Sequence, residues 1–545
     1  MKVLLLSSLV KVFKESSPIE NEIKSISLLK NERASFQFAI KSDNDCSVSV
    51  SVKGFPGLVD IFKVGYVPVK LASFPNTDDY YLSKEPGLFP DILFPVDNKE
   101  IIKPDGWYSF WIELSANNIT PGFYDVTANI IVDDSQEYSK IIKVEVIDAL
   151  LPETDFVYTN WYHCDGISNY YNVPVFSERF WGYNRNFIKN AVKHGMNCIL
   201  TPLFTPPLDT AVGHERLTVQ LVGVKTRGSK YLFDFSNLKK WIDICLECGI
   251  EYFEMSHLFT QWGALHAPKI VAKDKKGREK KIFGWHTRTS SKDYDDFILQ
   301  LGKKLVPFLE KEGIRDRCFF HVSDEPSNNH LAVYKKRSEL ISKAFPGFKT
   351  IDALSDIDFY KSGAVKQPIP ETGSADNFYC IVPDLWVYYC CGQGNRYLSN
   401  RFISMPSQRT RVLGYQLYKY NAKGFLQWGH NFYNSVLSLY PINPFEITDA
   451  DEHFPAGDAF VVYPGNNGLP LPSLRLKVFY DALQDMRALK LLESIIGRDK
   501  TVELLEEGLD SPLSFTEYPH SIDWQINTRE KINNAIKTNL KKSGS

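Results

Sequence analysis

Asp324 and Glu325 are two adjacent carboxylates that follow an apolar segment, residues 318–322, and precede Pro326. Pro326 disfavours helical backbone at the residue before it, so we expect Glu325 to be extended. Neighbouring residues of a strand point to opposite faces, so the two carboxyl groups are expected to have separate tasks rather than to share one proton. One could be kept protonated as a general acid while the other stays ionised. Glycoside cleavage needs this division of tasks.

The same two acids could instead belong to the start of a helix. A helix is predicted to begin just after them, within residues 323–345. Ser, Asp and Pro are all frequent at helix N-termini, so a capping role stays open on the local sequence alone. Catalysis is favoured if the preceding strand belongs to a barrel, because the reactive groups of such barrels lie where strands end.

The first part of the chain is predicted to be a β-sandwich. Residues 1–150 consist of short segments in which apolar and polar residues alternate, for example 34–40 and 46–52, separated by Gly, Pro, Asn and Asp. This pattern is typical of an all-β sandwich. Pro152 follows the last such segment and prevents ladder pairing, so a domain boundary is predicted near residue 150.

Residues 151–498 repeat a helical segment that ends in glycine and is followed by an apolar strand. Glycine suits the left-handed residue that closes a helix, and strands separated by helices pair in parallel. Eight strands are predicted, within residues 158–163, 193–203, 247–258, 311–326, 344–354, 377–382, 385–389 and 421–430. This count favours a closed α/β barrel, a TIM-like (β/α)8 fold. Residues 473–495 are predicted to be its closing helix and 499–545 a C-terminal helical extension.

An ordered set of segments in the second part of the chain resembles glycoside hydrolase family 123. The segments are HVSDEP (321–326), LWVYYCCGQGNRYLSN (385–400), GFLQWGHNFYN (424–434), GDAFVVYPG (457–465) and SLRLKVFYDALQD (473–485). The family's layout, a β-sandwich followed by a barrel, agrees with the predicted elements. The resemblance therefore extends over nearly the whole chain, although its motifs lie in the barrel part.

The resemblance implies a retaining exo-acting β-N-acetylgalactosaminidase that works by substrate assistance. The 2-acetamido oxygen of the sugar is then the nucleophile, so no protein nucleophile is required. Asp324 would orient the acetamido group as it closes to an oxazoline, and Glu325 would protonate the glycosidic oxygen and then activate water. A β-N-acetylglucosaminidase is the nearest alternative, since the two sugars differ only at the C4 hydroxyl. A carbohydrate-binding protein without turnover is an alternative of another class.

Polar and aromatic residues at the predicted strand ends are candidates for holding the sugar. An indole or phenol ring can pack against the C–H groups of a pyranose and leave a donor at its edge for hydroxyl groups. Tyr388 and Tyr389 point to opposite sides of a continuing strand, so one of the two is expected to face the sugar. The candidates are His163, His257, Trp262, Tyr388, Tyr389, Asn395, Trp428 and Asn431.

Composition and motifs exclude several other classes of protein. The formal net charge of −2 gives no strong field for attracting nucleic acid, and no apolar stretch is long enough to span a membrane. Nine scattered cysteines do not indicate a secreted disulfide framework, and with no convincing signal peptide a cytoplasmic protein is expected. No zinc, calcium or nucleotide motif is found, so neither a metal nor a cofactor is predicted. The expected partner is a glycan or glycolipid.

Overall fold

The computed structural model describes residues 1–18, 22–97, 99–153 and 155–543. Its N-terminal part is made of ten strands. They are β1 (Lys2–Ser7), β2 (Ser25–Lys30), β3 (Arg33–Lys41), β4 (Cys46–Lys53), β5 (Leu58–Val69), β6 (Gly87–Pro95), β7 (Glu100–Ile102), β8 (Trp107–Ser115), β9 (Gly122–Val132) and β10 (Gln136–Leu150).

These strands form two five-stranded sheets, in the orders β1-β3-β8-β5-β6 and β2-β10-β9-β4-β7. Every neighbouring pair is antiparallel except β2 and β10. The alternation predicted from the sequence places apolar side chains from both sheets, such as Phe36, Phe38, Val126 and Ala128, in one buried cluster. The prediction of a β-rich N-terminal region is confirmed.

In the second part of the chain, the described residues form fourteen strands and eleven helices. The strands are β11 (Val157–Asn160), β12 (Cys198–Thr201), β13 (Gly223–Arg227), β14 (Lys230–Asp234), β15 (Tyr252–Met255), β16 (Ile270–Lys273), β17 (Glu279–Phe283), β18 (Cys318–Phe320), β19 (Lys349–Ala353), β20 (Gln367–Ile369), β21 (Trp386–Tyr388), β22 (Gly424–Gln427), β23 (Val462–Pro464) and β24 (Pro470–Pro472). The helices are α1 (Cys164–Tyr171), α2 (Glu178–Lys193), α3 (Ser236–Cys248), α4 (Lys292–Lys311), α5 (Leu331–Ala344), α6 (Ile357–Lys361), α7 (Ser407–Arg411), α8 (Leu413–Lys419), α9 (Leu474–Ile496), α10 (Arg498–Glu506) and α11 (Ile522–Ser543).

Eight of these strands form a nearly closed parallel barrel. Their order in the sheet is β20-β19-β18-β15-β12-β11-β22-β21, so neighbours in space follow one another along the chain. The remaining gap, between β20 and β21, is bridged at Glu371 and Tyr388, where the Tyr388 N–H donates to the Pro370 carbonyl at 3.0 Å. A helix follows most strands, but β20 and β21 are separated only by a short 3-10 helix, Thr372–Asn377, and the turns that follow it. The helix content is therefore modest for a barrel of this kind.

The strand predicted at residues 377–382 is wrong, and the sixth barrel strand is β20 instead. Residues 378–382 form helical turns in which the Val382 N–H donates to the Phe378 carbonyl at 2.9 Å. Both apolar side chains are buried by that turn rather than by a strand. β20 has only three residues, one of them Pro368, so it carries no alternating pattern that would reveal it in the sequence.

The barrel interior is filled with side chains. Val157, Leu200, Phe319, Ile351 and Leu426 belong to one buried cluster to which the other barrel strands also contribute. Gly424 is needed in this layer, because a Cβ atom there would lie 2.2 Å from the Trp386 ring. The barrel is thus a packed core, and any ligand must bind at one of its ends.

The C-terminal helices join the two parts of the chain. In α9, which is the predicted closing helix, Lys477 pairs with Glu113 of β8 at 2.8 Å. In α11, Glu530 accepts hydrogen bonds from the backbone and hydroxyl of Ser27 in β2.

The division into domains at 1–150, 151–498 and 499–545 stays a prediction. Within the described residues, no helix has both the length and the apolar character needed to cross a bilayer.

Candidate active site

Asp324 and Glu325 lie in the loop that follows β18, at the carboxyl end of the barrel. β18 ends at Phe320, so the two acids are not part of a strand and do not alternate between its faces. Their backbone is fixed from both sides: the Trp262 N–H donates to the Asp324 carbonyl at 2.8 Å, and the Glu325 N–H donates to the Ala353 carbonyl at 3.0 Å. Both carboxyl groups consequently line one pocket.

The prediction of extended backbone at Glu325 is wrong. Its φ angle is +44°, in the left-handed region that side chains other than glycine rarely adopt. Pro326 disfavours the right-handed helical region at the preceding residue, and the bond to Ala353 holds the left-handed alternative. Such conformations cost of order 1 kcal/mol or more and are concentrated at functional sites. Here the turn brings Glu325 to the pocket beside Asp324.

The alternative of a helix cap does not fit this geometry. The helical turn ahead of α5, Asn328–His330, has Ser327 as its N-cap, with a capping box between Ser327 and His330. Glu325 instead accepts a hydrogen bond from a barrel side chain, Tyr388. The two acids are therefore free of the structural role that the local sequence left open.

The pocket is open to solvent and has a cavity volume of about 130 Å³. Five of the residues selected from the sequence line it: Asp324, Glu325, Trp262, Tyr388 and Trp428. The other lining residues are Trp161, Leu208, Asp209, Gln261, Ala353, Cys390, Cys391, Leu426 and Phe454.

The two candidate tyrosines are separated by the barrel wall. The Tyr388 hydroxyl donates to Glu325 Oε1 at 2.6 Å. Tyr389 is fully buried, its ring packs edge-on against Phe425 with centroids 4.8 Å apart and planes at 67°, and it does not line the pocket. Of the two, only Tyr388 lines the pocket, and its contact with the sugar stays a prediction.

The Tyr389 hydroxyl is buried without a hydrogen-bond partner in the described part of the chain. Its environment is that of a core residue, so its position does not support a role in sugar binding.

Trp428 and Trp262 provide aromatic surface on two sides of the pocket. Trp428 follows β22, and its Nε1 donates to Asp458 Oδ2 at 2.8 Å. Burial raises the pKa of Asp458 to about 7, although the bond from Trp428 opposes the shift. Trp262 is 50% exposed and has a left-handed φ of +56°. Both rings are placed where a pyranose could pack against them.

The remaining candidates from the sequence do not line the pocket. His163 is buried behind Trp428, with its Nε2 2.8 Å from the Trp428 carbonyl oxygen. Asn431 accepts the His163 backbone N–H at 2.8 Å, so the two residues support the loop that carries Trp428. His257 is buried against His321, and Asn395 lies in an exposed turn. Direct sugar contacts predicted for these four residues are not supported by their positions.

A buried charge network lies beneath the two acids. His321 places its Nε2 2.7 Å from Glu254 and its Nδ1 3.0 Å from Asp352. Glu254 also accepts the indole N–H of Trp161 at 2.8 Å, and Asp352 accepts the Tyr334 hydroxyl. Burial alone would lower the pKa of His321, but its bonds to the two carboxylates raise that pKa to about 9. His321 is therefore a cation at neutral pH.

The pKa values of the two candidate catalytic acids are both raised. Burial is the main cause of the raised pKa of Asp324. The neighbouring Glu325 raises this pKa further, while the charge on His321 opposes the rise. Limited hydration also raises the pKa of Glu325, which the bond from Tyr388 opposes and the charge of Glu371 reinforces. A raised pKa keeps a carboxylic acid protonated closer to neutral pH, as general acid catalysis requires.

His257, His321 and Asp352 are close enough together to be considered as metal ligands. The two imidazole rings are stacked, however, with centroids 4.1 Å apart and planes at 22°. The lone pairs of imidazole lie in the ring plane, so nearly parallel rings do not direct them at one ion. Both nitrogens of His321 already face carboxylates. This geometry suits a hydrogen-bonded ion pair rather than a metal centre.

Sequence reasoning missed Asp209, Trp161 and the buried network. Asp209 lies in the loop after β12, and burial raises its pKa to about 6 against the opposing hydrogen bond from the Leu437 N–H. Its position after a predicted strand could have identified it. Glu254, His321 and Asp352 lie in or next to apolar barrel strands. An ionisable residue within such a strand is itself a signal, because it must have a partner when buried.

The chain matches the family model described as glycoside hydrolase 123, catalytic domain, over residues 161–492. A family 123 glycoside hydrolase from Clostridium perfringens, whose structure was analysed for the details of glycolipid glycan hydrolysis, has a TM-score of 0.75 and 17% identity, with 98% of each chain covered. The CBM22-1 and GH10 modules of a Clostridium thermocellum xylanase have a TM-score of 0.34 and 10% identity, with 89% of this chain and 94% of that one covered. No curated protein sequence matches. The first similarity extends over both the sandwich and the barrel.

Proposed function

Because the chain belongs to glycoside hydrolase family 123, we propose that it is a retaining exo-acting hydrolase that releases terminal β-linked N-acetylgalactosamine. The observation that carries this proposal is the pocket in which Asp324 and Glu325 lie together at the carboxyl end of a TIM-like barrel. The glycan of a glycolipid is the proposed natural substrate, in line with the Clostridium perfringens relative. A cytoplasmic location remains part of the proposal.

The proposed reaction has two steps. In the first, the acetamido oxygen of the sugar attacks C1, the bond from C1 to the glycosidic oxygen breaks, and Glu325 gives its proton to the leaving oxygen. Asp324 orients the acetamido group and stabilises the positive charge that develops on it as the oxazoline forms. In the second step Glu325 takes a proton from water, which attacks C1 and reopens the ring. Two inversions at C1 give net retention.

Three features of the site support these roles. The raised pKa of Glu325 favours its protonated form before the first step. His321 is a cation near Asp324, and its charge opposes the burial that raises the pKa of that acid well above its usual value. Trp428 and Trp262 supply apolar faces for the sugar ring.

The proposal is tested by assaying aryl β-N-acetylgalactosaminide and aryl β-N-acetylglucosaminide with the wild type, Asp324→Asn and Glu325→Gln. We expect turnover of the first sugar and losses of about 100-fold or more in each variant. Preference for the glucosaminide would move the assignment to a β-N-acetylglucosaminidase. A wild type that binds the sugar without turnover would contradict the enzymatic proposal and favour a carbohydrate-binding protein.

A further inference from the structure

A small four-stranded sheet is inserted between barrel strands on the pocket side of the molecule. Its order is β14-β13-β16-β17. β13 and β14 lie in the connection that follows β12, and β16 and β17 in the connection that follows β15, which also carries Trp262. Both connections leave the carboxyl ends of barrel strands, as the loop with Asp324 and Glu325 does.

One face of this sheet packs against the barrel's helices. Tyr231 of β14 and Phe283 of β17 contact Phe297 of α4, with ring centroids 4.9 and 5.1 Å apart. Val224 and Ala272 of the two central strands are buried on the same side. Because side chains alternate along a strand, the residues between them point outward.

The outward face and its turns are strongly basic. Residues 223–234 and 269–283 contain ten lysines and arginines but only three acidic residues, whereas the whole chain has a net charge of −2. Four of the ten, Lys269, Lys273, Arg278 and Lys281, have carboxylate partners. Within the described residues the other six form no ion pair, and all six are exposed. Five belong to the outward face and its turns, namely Lys225, Arg227, Lys230, Lys275 and Lys276, whereas Lys280 lies opposite Ala272 on the packed side.

The strand register places like charges opposite each other. Lys225 pairs with Lys273 across the two central strands, and Arg227 pairs with Lys230. Lys273 also lies opposite Glu279 of β17 and forms an ion pair with it at 3.7 Å, so the like charges without such compensation are Lys225, Arg227 and Lys230. Directly opposed like charges destabilise a sheet. Lysines on edge strands can prevent aggregation, but β13 and β16 are central, so that explanation does not cover Lys225 and Lys273. A negatively charged surface held against this face would offset the repulsion.

We propose that the outer face of this sheet docks the protein on a lipid bilayer that carries anionic headgroups. The face is broad and made of regular strands, and it exposes Leu232, 53% accessible, directly opposite Lys225. Basic residues around an exposed apolar side chain match the charged headgroups and the interfacial layer of such a bilayer. Docking would hold the pocket near a membrane-anchored glycan, and this consequence rests on the proposed glycolipid substrate.

The test uses the full chain with vesicles of phosphatidylcholine alone and of phosphatidylcholine mixed with phosphatidylserine. The variant combines Lys225→Gln, Arg227→Gln and Lys273→Gln. The control combines Lys335→Gln, Lys336→Gln and Lys343→Gln, which remove the same charge from exposed positions of α5. We expect the wild type and the control to sediment with the anionic vesicles. The sheet variant should bind these vesicles about tenfold more weakly, or not at all, and added salt should weaken the binding of all three proteins.

Equal binding to neutral and anionic vesicles would overturn the proposal, as would equal losses in the variant and the control. Retention on immobilised heparin without vesicle binding would also overturn it, in favour of a polyanionic polymer. Turnover of the soluble aryl substrate separates this proposal from the enzymatic one. The sheet variant should keep wild-type kcat/KM, whereas a wild type that binds vesicles but has no turnover contradicts only the proposed function.

Discussion

The hydroxyl group of Tyr388 donates a 2.6 Å hydrogen bond to Oε1 of Glu325, across the pocket end of the barrel. This bond joins the loop after the fourth barrel strand to the end of the seventh. It stabilises the ionised form of Glu325 and thereby limits the rise of its pKa. The proton affinity of the proposed general acid is thus adjusted by a residue of another strand.

Tyr388→Phe should raise the pKa of Glu325, because the bond that stabilises its carboxylate is lost. Glu325 would then stay protonated to higher pH, so the alkaline limb of the kcat/KM profile should move upward in pH. Turnover should fall about tenfold, as expected for a hydrogen bond to a charged group. Tyr389→Phe is the matched control and should leave the profile unchanged. An alkaline limb that moves downward in Tyr388→Phe would contradict this role.

The loss of hydrolytic activity in Glu325→Gln should depend on the leaving group of the substrate. A leaving group that must be protonated to depart should show the larger loss. With a poor alkyl leaving group we expect a loss of about 100-fold or more, and with a dinitrophenyl leaving group a much smaller loss in the first step. Pre-steady-state release of the phenol measures that step. Equal losses with both leaving groups would show that Glu325 is not the acid.

The charge on His321 should make stability depend on alkaline pH. Its pKa is raised from 6.5 to about 9 in the folded protein, so its contribution is fully present below pH 6.5 and is lost as the pH rises through about 9. Urea unfolding of the wild type should show a loss of up to about 3 kcal/mol across that window. His321→Gln should be less stable at pH 6.5 and lack this particular loss. A wild type whose stability does not change over the window would contradict the ion pair.

Much of the architecture could be predicted from the sequence, because local patterns reflect it directly. Glycine-terminated helices followed by apolar strands identified five of the barrel strands, apolar segments at 158–163 and 385–389 identified two more, and alternation identified the N-terminal sheets. β20 and the inserted sheet were missed. β20 has only three residues, one of which is a proline. The inserted sheet consists of short, highly charged strands that interrupt the alternation of helices and apolar strands.

The site was only partly predictable for a different physical reason. Strand ends gave the positions of Asp324, Glu325, Tyr388 and Trp428, since the barrel brings all strand ends together. The left-handed turn at Glu325 depends on the Ala353 carbonyl, which is distant in sequence. Asn395 was also selected because it follows a predicted strand, but it lies in an exposed turn at the surface. Direction within a loop is set by tertiary contacts that no local pattern encodes.

Trp428→Ala should weaken sugar binding, because it removes an aromatic face of the pocket. A rise of about tenfold in KM is expected from the loss of ring packing. Asn395→Ala is the control, because that residue was selected from the same stretch of motifs but does not line the pocket. Steady-state kinetics of both variants on the aryl galactosaminide test the placement. A larger effect for Asn395→Ala would contradict it.

Asp209 offers a rival account, since it is a third carboxylate in the pocket and could act as a covalent nucleophile. The most direct test is the turnover of aryl glycosides whose N-acetyl group carries none, one, two or three fluorine atoms. Fluorine withdraws electrons from the acetamido oxygen, so substrate assistance predicts that kcat/KM falls steeply with each atom added. Rates that are nearly independent of fluorination, together with a glycosyl group trapped on Asp209, would contradict the proposed mechanism.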